Sequence, residues 1–134
     1  MMSDIRYLSL GDVIALHALI MERTGVAPAP LRSESQLEAA LMRTQMAAHY
    51  EDADLVRQAV MLAVSVSQAQ AFLDGNKRTS FAVMDVFLRI NGQRFIGSSV
   101  ELAQHLEAIA IEQEKREDAI DSFENWLRQH LSSD

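Results

Sequence analysis

The sequence predicts an all-α fold, with about six helices in one compact domain. Three observations carry that expectation. Apolar residues recur at helical spacing along every long segment, and capping signals and terminal glycines punctuate them. No stretch alternates convincingly between apolar and polar residues except "QRFIG", which is too short to build a sheet. The 134 residues show no internal repeat, low-complexity tract or linker, so residues 1–134 read as a single domain around one core.

The elements follow in order. "SLGDVIALHALIMERTG" places Val13, Leu16, His17 and Ile20 on one face and ends at Gly25, a suitable residue just past a helix. "TGVAPAP" holds both prolines, Pro28 and Pro30, and is the clearest loop. In "SESQLEAALMR", Ser35 and Glu38 stand at capping-box spacing, and the polar "AHYED" separates this helix from the next. "DLVRQAVMLAVSVSQAQ" is apolar on nearly every face, so it reads as a buried helix despite its valines. "LDG" breaks it, and "NKRTSFAVMDVFLRING" forms a second buried helix ending at Gly92. Ser98 and Glu101 open a fifth helix, and Asp118 is the expected cap of a sixth whose stripe is Ile120, Phe123 and Leu127.

Composition excludes several function classes. Twelve Lys+Arg against 19 Asp+Glu give a formal net charge of −7. That argues against broad nucleic-acid binding, which needs surplus cations to displace counterions. With no cysteine, neither a disulfide scaffold nor thiolate catalysis is available. No apolar run approaches the ~20 residues needed to span a bilayer, and "MMSDIRYLSLGD" lacks a secretory signature. The expectation is a soluble, cytoplasmic protein without membrane contact.

The chemistry concentrates in "QAFLDGNKRTSF", residues 70–81, between the two buried helices. The first turn of the second helix offers free backbone N–H groups and the positive end of the macrodipole. Gly75 has no side chain to block an anion, and Lys77 and Arg78 add two cations there. Together they make a candidate phosphate cradle. Asp74 is placed to hold Mg²⁺ bridging phosphate oxygens, although a helix cap is an equally ordinary role for it. Gly75 taken alone would be a turn residue, and Lys77 and Arg78 taken alone a solvated face. Phe72 is expected to point inward as an anchor. The complete set, at fixed spacing between apolar helices, is what favours a site.

Residues 70–79, "QAFLDGNKRT", resemble the Fic/Doc signature H-x-F-x-[DE]-G-N-x-R in every position but the first. "LSLGDVIALHALIMERTG", "LRSESQLEAALMR" and "FLRINGQRF" extend the resemblance over most of the chain. Lys77 and Phe81 stand where AMP-transferring members usually carry glycine and a second arginine, and "NKRTS" is similar to the Doc branch of short toxins. The resemblance implies a compact all-α Fic/Doc domain with this loop and helix at its centre. It further implies ATP and Mg²⁺ as ligands, phosphate transfer to a hydroxyl of elongation factor Tu with arrest of translation, and a small antitoxin as partner. Residue by residue, Asp74 would hold the metal, and Gly75 and Asn76 would line the anion site, Asn76 also through its side-chain amide. Lys77 and Arg78 would bind the phosphates, and Thr79 would help close the first helical turn.

Gln70 occupies the place of the family's catalytic histidine. An amide donates and accepts hydrogen bonds but takes up no proton, so a general base is missing while the binding residues remain. Among the other histidines, His17 shares an apolar face and reads as a core residue, and His49 is the least implausible substitute. The expectation is a protein that binds nucleotide but transfers little. The alternatives are a pseudoenzyme that binds nucleotide or antitoxin without catalysis, and a protein AMP-transferase. Met42, Met46 and Met84 are candidates for an apolar groove that takes an antitoxin helix, or for ordinary core packing.

Overall fold

The computed structural model describes residues 4–25, 31–72 and 75–133. Six helices and a two-stranded ribbon occur among them: α1 (Leu10–Arg23), α2 (Glu34–Tyr50), α3 (Leu55–Ala69), α4 (Asn76–Ile90), β1 (Gln93–Phe95), α5 (Ser99–Ile111), α6 (Arg116–Arg128) and β2 (Leu131–Ser133). The all-α expectation holds. The proline loop lies outside the described residues.

The centre is the antiparallel pair α3 and α4, with α2 against α3 and α1 against α4. Ala59, Val60, Ala63 and Val66 of α3 meet Val83, Met84, Phe87 and Leu88 of α4 in one buried cluster, which Leu102, Leu106 and Ile109 of α5 and Phe123 and Leu127 of α6 complete. Burying the valine, leucine, isoleucine, methionine and phenylalanine side chains among these stabilises a fold by about 1.5–3 kcal/mol each. Gln58 is also fully buried, and both ends of its amide are satisfied: it accepts from the Tyr7 hydroxyl at 2.7 Å and donates to the Ala53 carbonyl at 3.0 Å.

Several local expectations need correction. "QRFIG" does pair: β1 joins β2 antiparallel, with Gln93 opposite Ser133 and Phe95 opposite Leu131. The partner strand lies at the far end of the sequence, where no local pattern announces it. The polar "AHYED" is not wholly a link, because α2 runs on through Tyr50 and the chain turns at Asp52, whose φ of 55° is left-handed. That helix starts two residues earlier than Ser35 implies, capped by Ser33 Oγ accepting from the Gln36 N–H. Asp118 is not a cap either. It lies with Glu117 in the first turn of α6, where a negative charge meets the positive end of the helix. Gly25, Gly92 and the Ser98 cap stand where expected. Met84 is core, whereas Met42 and Met46 are exposed on α2 with Tyr50.

Ion pairs tie the start of α3 to α6. Arg57 reaches Glu117, Asp121 and Glu124 at 3.1–3.4 Å, and Arg128 reaches Asp54 and Glu124 at 3.0 and 2.9 Å. Partial desolvation pushes the Asp54 carboxyl up, but the Arg57 N–H it caps and the Arg128 guanidinium outweigh that and hold it below its ordinary value. A depressed carboxylate contributes stability above its unfolded pKa and loses it as pH falls through the folded value. Asp54→Asn keeps a capping side chain and removes the charge. Its Tm deficit at neutral pH should therefore close as pH drops below about 4. A deficit that persists unchanged at about pH 2 would contradict this assignment.

Candidate functional site

The site is built where α3 stops. Gln70 caps α3 with φ 51° and ψ 38°, a left-handed conformation that side chains with a Cβ adopt only at a cost. Its amide Nε2 turns back and donates to the Ser67 carbonyl at 3.2 Å, satisfying one of the helix's terminal acceptors. Ala71 and Phe72 then plunge into the core, each 1% exposed. The chain entering α2 secures them, since the Arg32 and Ser33 N–H groups both donate to the Ala71 carbonyl and Leu31 bridges Phe72.

Asn76 closes the loop from the other side. Its Oδ1 accepts from the Phe72 N–H at 3.1 Å and its Nδ2 donates to the Phe72 carbonyl at 2.8 Å. The side-chain amide assigned by resemblance to the anion site is thus engaged with both backbone groups of one buried residue, which leaves the Asn76 backbone N–H as its means of meeting an anion. Below the loop the His17 ring stacks on Phe72, centroids 3.7 Å apart and planes 8° from parallel. His17 is 2% exposed, so its reading as a core residue holds. It also lies directly beneath the motif, which its distance in sequence conceals.

Gly75 is the N-cap of α4 with φ 83°, and it brings no side chain to cap that end. A Cβ there would lie 2.9 Å from Met21 Sδ and 3.5 Å from two atoms of the His17 ring. Both conformation and space therefore require glycine. The first-turn N–H groups of Asn76, Lys77 and Arg78 have no acceptor within the helix, and they carry the positive end of its macrodipole. Lys77 and Arg78 are both exposed beside this end. Lys77 Nζ is paired with Glu107 of α5, which sequence reasoning missed because nothing local connects residues so far apart. Arg78 makes no ion pair among the described residues and is the cation left for a ligand. Thr79 does not face that ligand. Its side chain is fully buried with Oγ1 lacking a hydrogen-bond partner, and only its backbone closes the first turn, N–H to the Gly75 carbonyl at 2.9 Å.

Asp74 lies outside the described residues, and among those described no three His, Cys, Asp or Glu form a group that could hold a metal. Mg²⁺ is commonly held by one or two carboxylates plus substrate phosphates, so a single motif carboxylate suits an ion that arrives with nucleotide. The remaining histidines are elsewhere. His49 ends α2 against Tyr50, on the near side of α3, so about 20 Å of helix separates it from Gln70. It cannot substitute as the base. His105 and His130 flank Trp126, each 4.8 Å from its ring. Burial pushes the His105 imidazole below its ordinary pKa, with Glu101 opposing and His130 reinforcing the shift.

Two clefts deserve comparison. The larger, about 650 Å³, lies between α2, α3 and α6 and contains none of the motif residues. Its Arg57 is neutralised by three carboxylates, and its Arg116 is held by Gln68. The smaller, about 310 Å³, lies between α4 and α5 and includes Lys77, Arg78 and Phe81. The loop's fit can be measured with two glycines. Gly25 has φ 75° but no atom within 4 Å of a hypothetical Cβ. Gly25→Ala should cost about 1 kcal/mol from backbone strain alone, and Gly75→Ala at least about 1 kcal/mol more. Equal losses in urea unfolding would mean that Met21 and His17 do not press on the loop.

Comparison with known proteins agrees with this fold. Residues 7–88 match the Fic/DOC family, a span that runs from before α1 nearly to the end of α4 and includes the whole loop. The chain is also 33% identical over 99 residues to "Protein kinase doc" of Escherichia phage P1, covering 73% of this chain and 77% of that relative. A buried phenylalanine, a left-handed glycine and a helix start bearing Lys77 and Arg78 thus sit inside the matched span, and the chain belongs to the Fic/Doc family.

Proposed function

We propose that this chain is a Doc-like toxin whose α4 N-terminus binds the phosphates of ATP, and that Gln70 impairs transfer of phosphate to a protein hydroxyl. The observation that carries the reading is the start of α4, where a left-handed glycine, Gly75, stands in place of a side-chain cap beside exposed Lys77 and Arg78. Asp74, immediately before it in sequence, would hold Mg²⁺, which when bound neutralises charge on the phosphate oxygens. The 33% identity to a protein called a protein kinase supports phosphate transfer over AMP transfer. Residues 1–134 are taken as one Fic/Doc domain, a reading supported by α5 and α6, which lie beyond the matched stretch yet pack into the same core.

In this reading the acceptor is a hydroxyl of elongation factor Tu, its modification arrests translation, and a small antitoxin holds the toxin in check in the cytoplasm. The exposed Met42, Met46 and Tyr50 offer an apolar surface of the kind an antitoxin helix uses. No helix among the described residues is long and apolar enough to cross a membrane. Neither membrane nor nucleic-acid contact belongs to this reading.

Proton transfer is the missing part. The Gln70 amide cannot accept a proton, and it is already turned onto the Ser67 carbonyl. His17 is buried behind Phe72, and His49 stands at the other end of α3. Restoring histidine is also conformationally mild, because histidine is one of the residues enriched at left-handed backbone positions such as this one. Gln70→His should therefore fold normally and phosphorylate elongation factor Tu about 10²–10⁴-fold faster than the present chain, read by mass spectrometry as added phosphate. Equal rates would sink the general-base account, and addition of AMP would replace phosphoryl with nucleotidyl transfer.

A further inference from the structure

The larger cleft, about 650 Å³, is a trough with α3 as its floor. Along one side α2 runs back, because a short turn at residues 51–54 joins it to α3. Along the other α6 runs antiparallel, as the Arg57–Glu124 pair at one end and the Arg116–Gln68 hydrogen bond at the other require. Met61 and Val64 of α3, with Ile120 of α6, make the inner surface apolar. Arg57 and Gln68 both line it and lie eleven residues apart on α3, so the trough is about 16 Å long. Its Gln68 end also includes Ala69, the residue before Gln70.

The charges around the trough are unequally used. Arg57 is taken up by three carboxylates of α6. Arg116 meets only the uncharged amide oxygen of Gln68, and Arg43 has no ion pair among the described residues. Both are exposed, and they stand on opposite walls, one on α6 and one on α2. Of the lining carboxylates, Glu117 serves Arg57, and Glu51 lies at the Arg57 end, just before α3. Two uncommitted guanidiniums over an apolar floor are a local positive surplus in a chain whose net charge is −7.

We propose that this α2–α3–α6 trough docks an extended acidic segment of the acceptor protein, its carboxylates on Arg43 and Arg116 and its apolar side chains on the floor. The inference rests on the transfer reading above and adds to it the means by which the acceptor chain is held. Length decides for a peptide. A trough of about 16 Å matches about five extended residues, whose side chains alternate between floor and rim. A guanidinium can hold a carboxylate through two parallel hydrogen bonds, so each arginine fixes the segment's orientation as well as its place. The segment leaves the trough at Ala69, one residue from the position to which that reading assigns proton transfer.

Peptide binding and transfer kinetics test the assignment, both on the full chain carrying Gln70→His so that transfer is measurable. The probe is a fluorescein-labelled pentapeptide of alternating leucine and glutamate, with lysine replacing glutamate in the control. The acidic probe should bind saturably, and the lysine control should not. Arg43→Glu and Arg116→Glu alter exposed side chains only, and each should weaken the probe about fivefold, the scale of one exposed ion pair reversed. The unlabelled acidic peptide should raise KM for elongation factor Tu and leave kcat unchanged, and each charge reversal should do the same. Equal binding of the two peptides, or a probe indifferent to both reversals, would overturn the trough as an acidic-peptide site. A probe that binds there while KM stays unmoved would give the trough to another partner, such as an antitoxin, and overturn the acceptor assignment. Transfer that fails altogether in Gln70→His would overturn the transfer reading and this inference with it.

Discussion

The amide of Asn76 holds together the part of the molecule on which the rest depends. It brackets both backbone groups of Phe72, a residue buried so completely that water cannot serve them. Leaving buried groups of this kind unsatisfied costs about 1–3 kcal/mol each, so one side chain fixes the loop to the helix it precedes. The same device recurs at the other end of α4. There Asn91 accepts from the Arg6 N–H at 2.8 Å and donates to the Arg6 carbonyl at 2.9 Å. The central helix is thus fastened at both ends through asparagine.

From that fixed point the site follows. His17 supports Phe72 from below, Met21 and His17 leave space only for a glycine at 75, and the entry to α2 grips Ala71. The first turn of α4 is therefore aimed before any ligand arrives, and amides oriented in advance need no reorganisation when an anion binds. Arg78 remains unpaired among the described residues, while Lys77 is shared with Glu107. In the proposed reading, binding and proton transfer occupy separate parts of this arrangement, the former at the start of α4 and the latter at the end of α3, where Gln70 stands. A change at residue 70 can remove a base without touching the helix start.

Much of this was legible in the sequence because it is local. Helical periodicity, the Ser98 cap and the glycines at 25 and 92 are decided within a few residues, and the motif carries its own spacing. Phe72, a large apolar residue between the two buried helices, also announced its burial. Contacts between distant segments were not legible. The pairing of Phe95 with Leu131, the Lys77–Glu107 pair and the seat of His17 under the loop all need the three-dimensional fold. The resemblance named Asn76 and Thr79 without showing where their side chains point. The former instead serves the loop backbone and the latter faces the core.

The most direct test of the account is an amide NMR titration of the full chain with ATP and Mg²⁺. The account predicts saturable shifts largest at the backbone N–H groups of Asn76, Lys77 and Arg78, because those donors meet the phosphates. Shifts confined to the α2–α3–α6 cleft, around Arg43, Arg57 and Arg116, with the start of α4 unmoved, would contradict it.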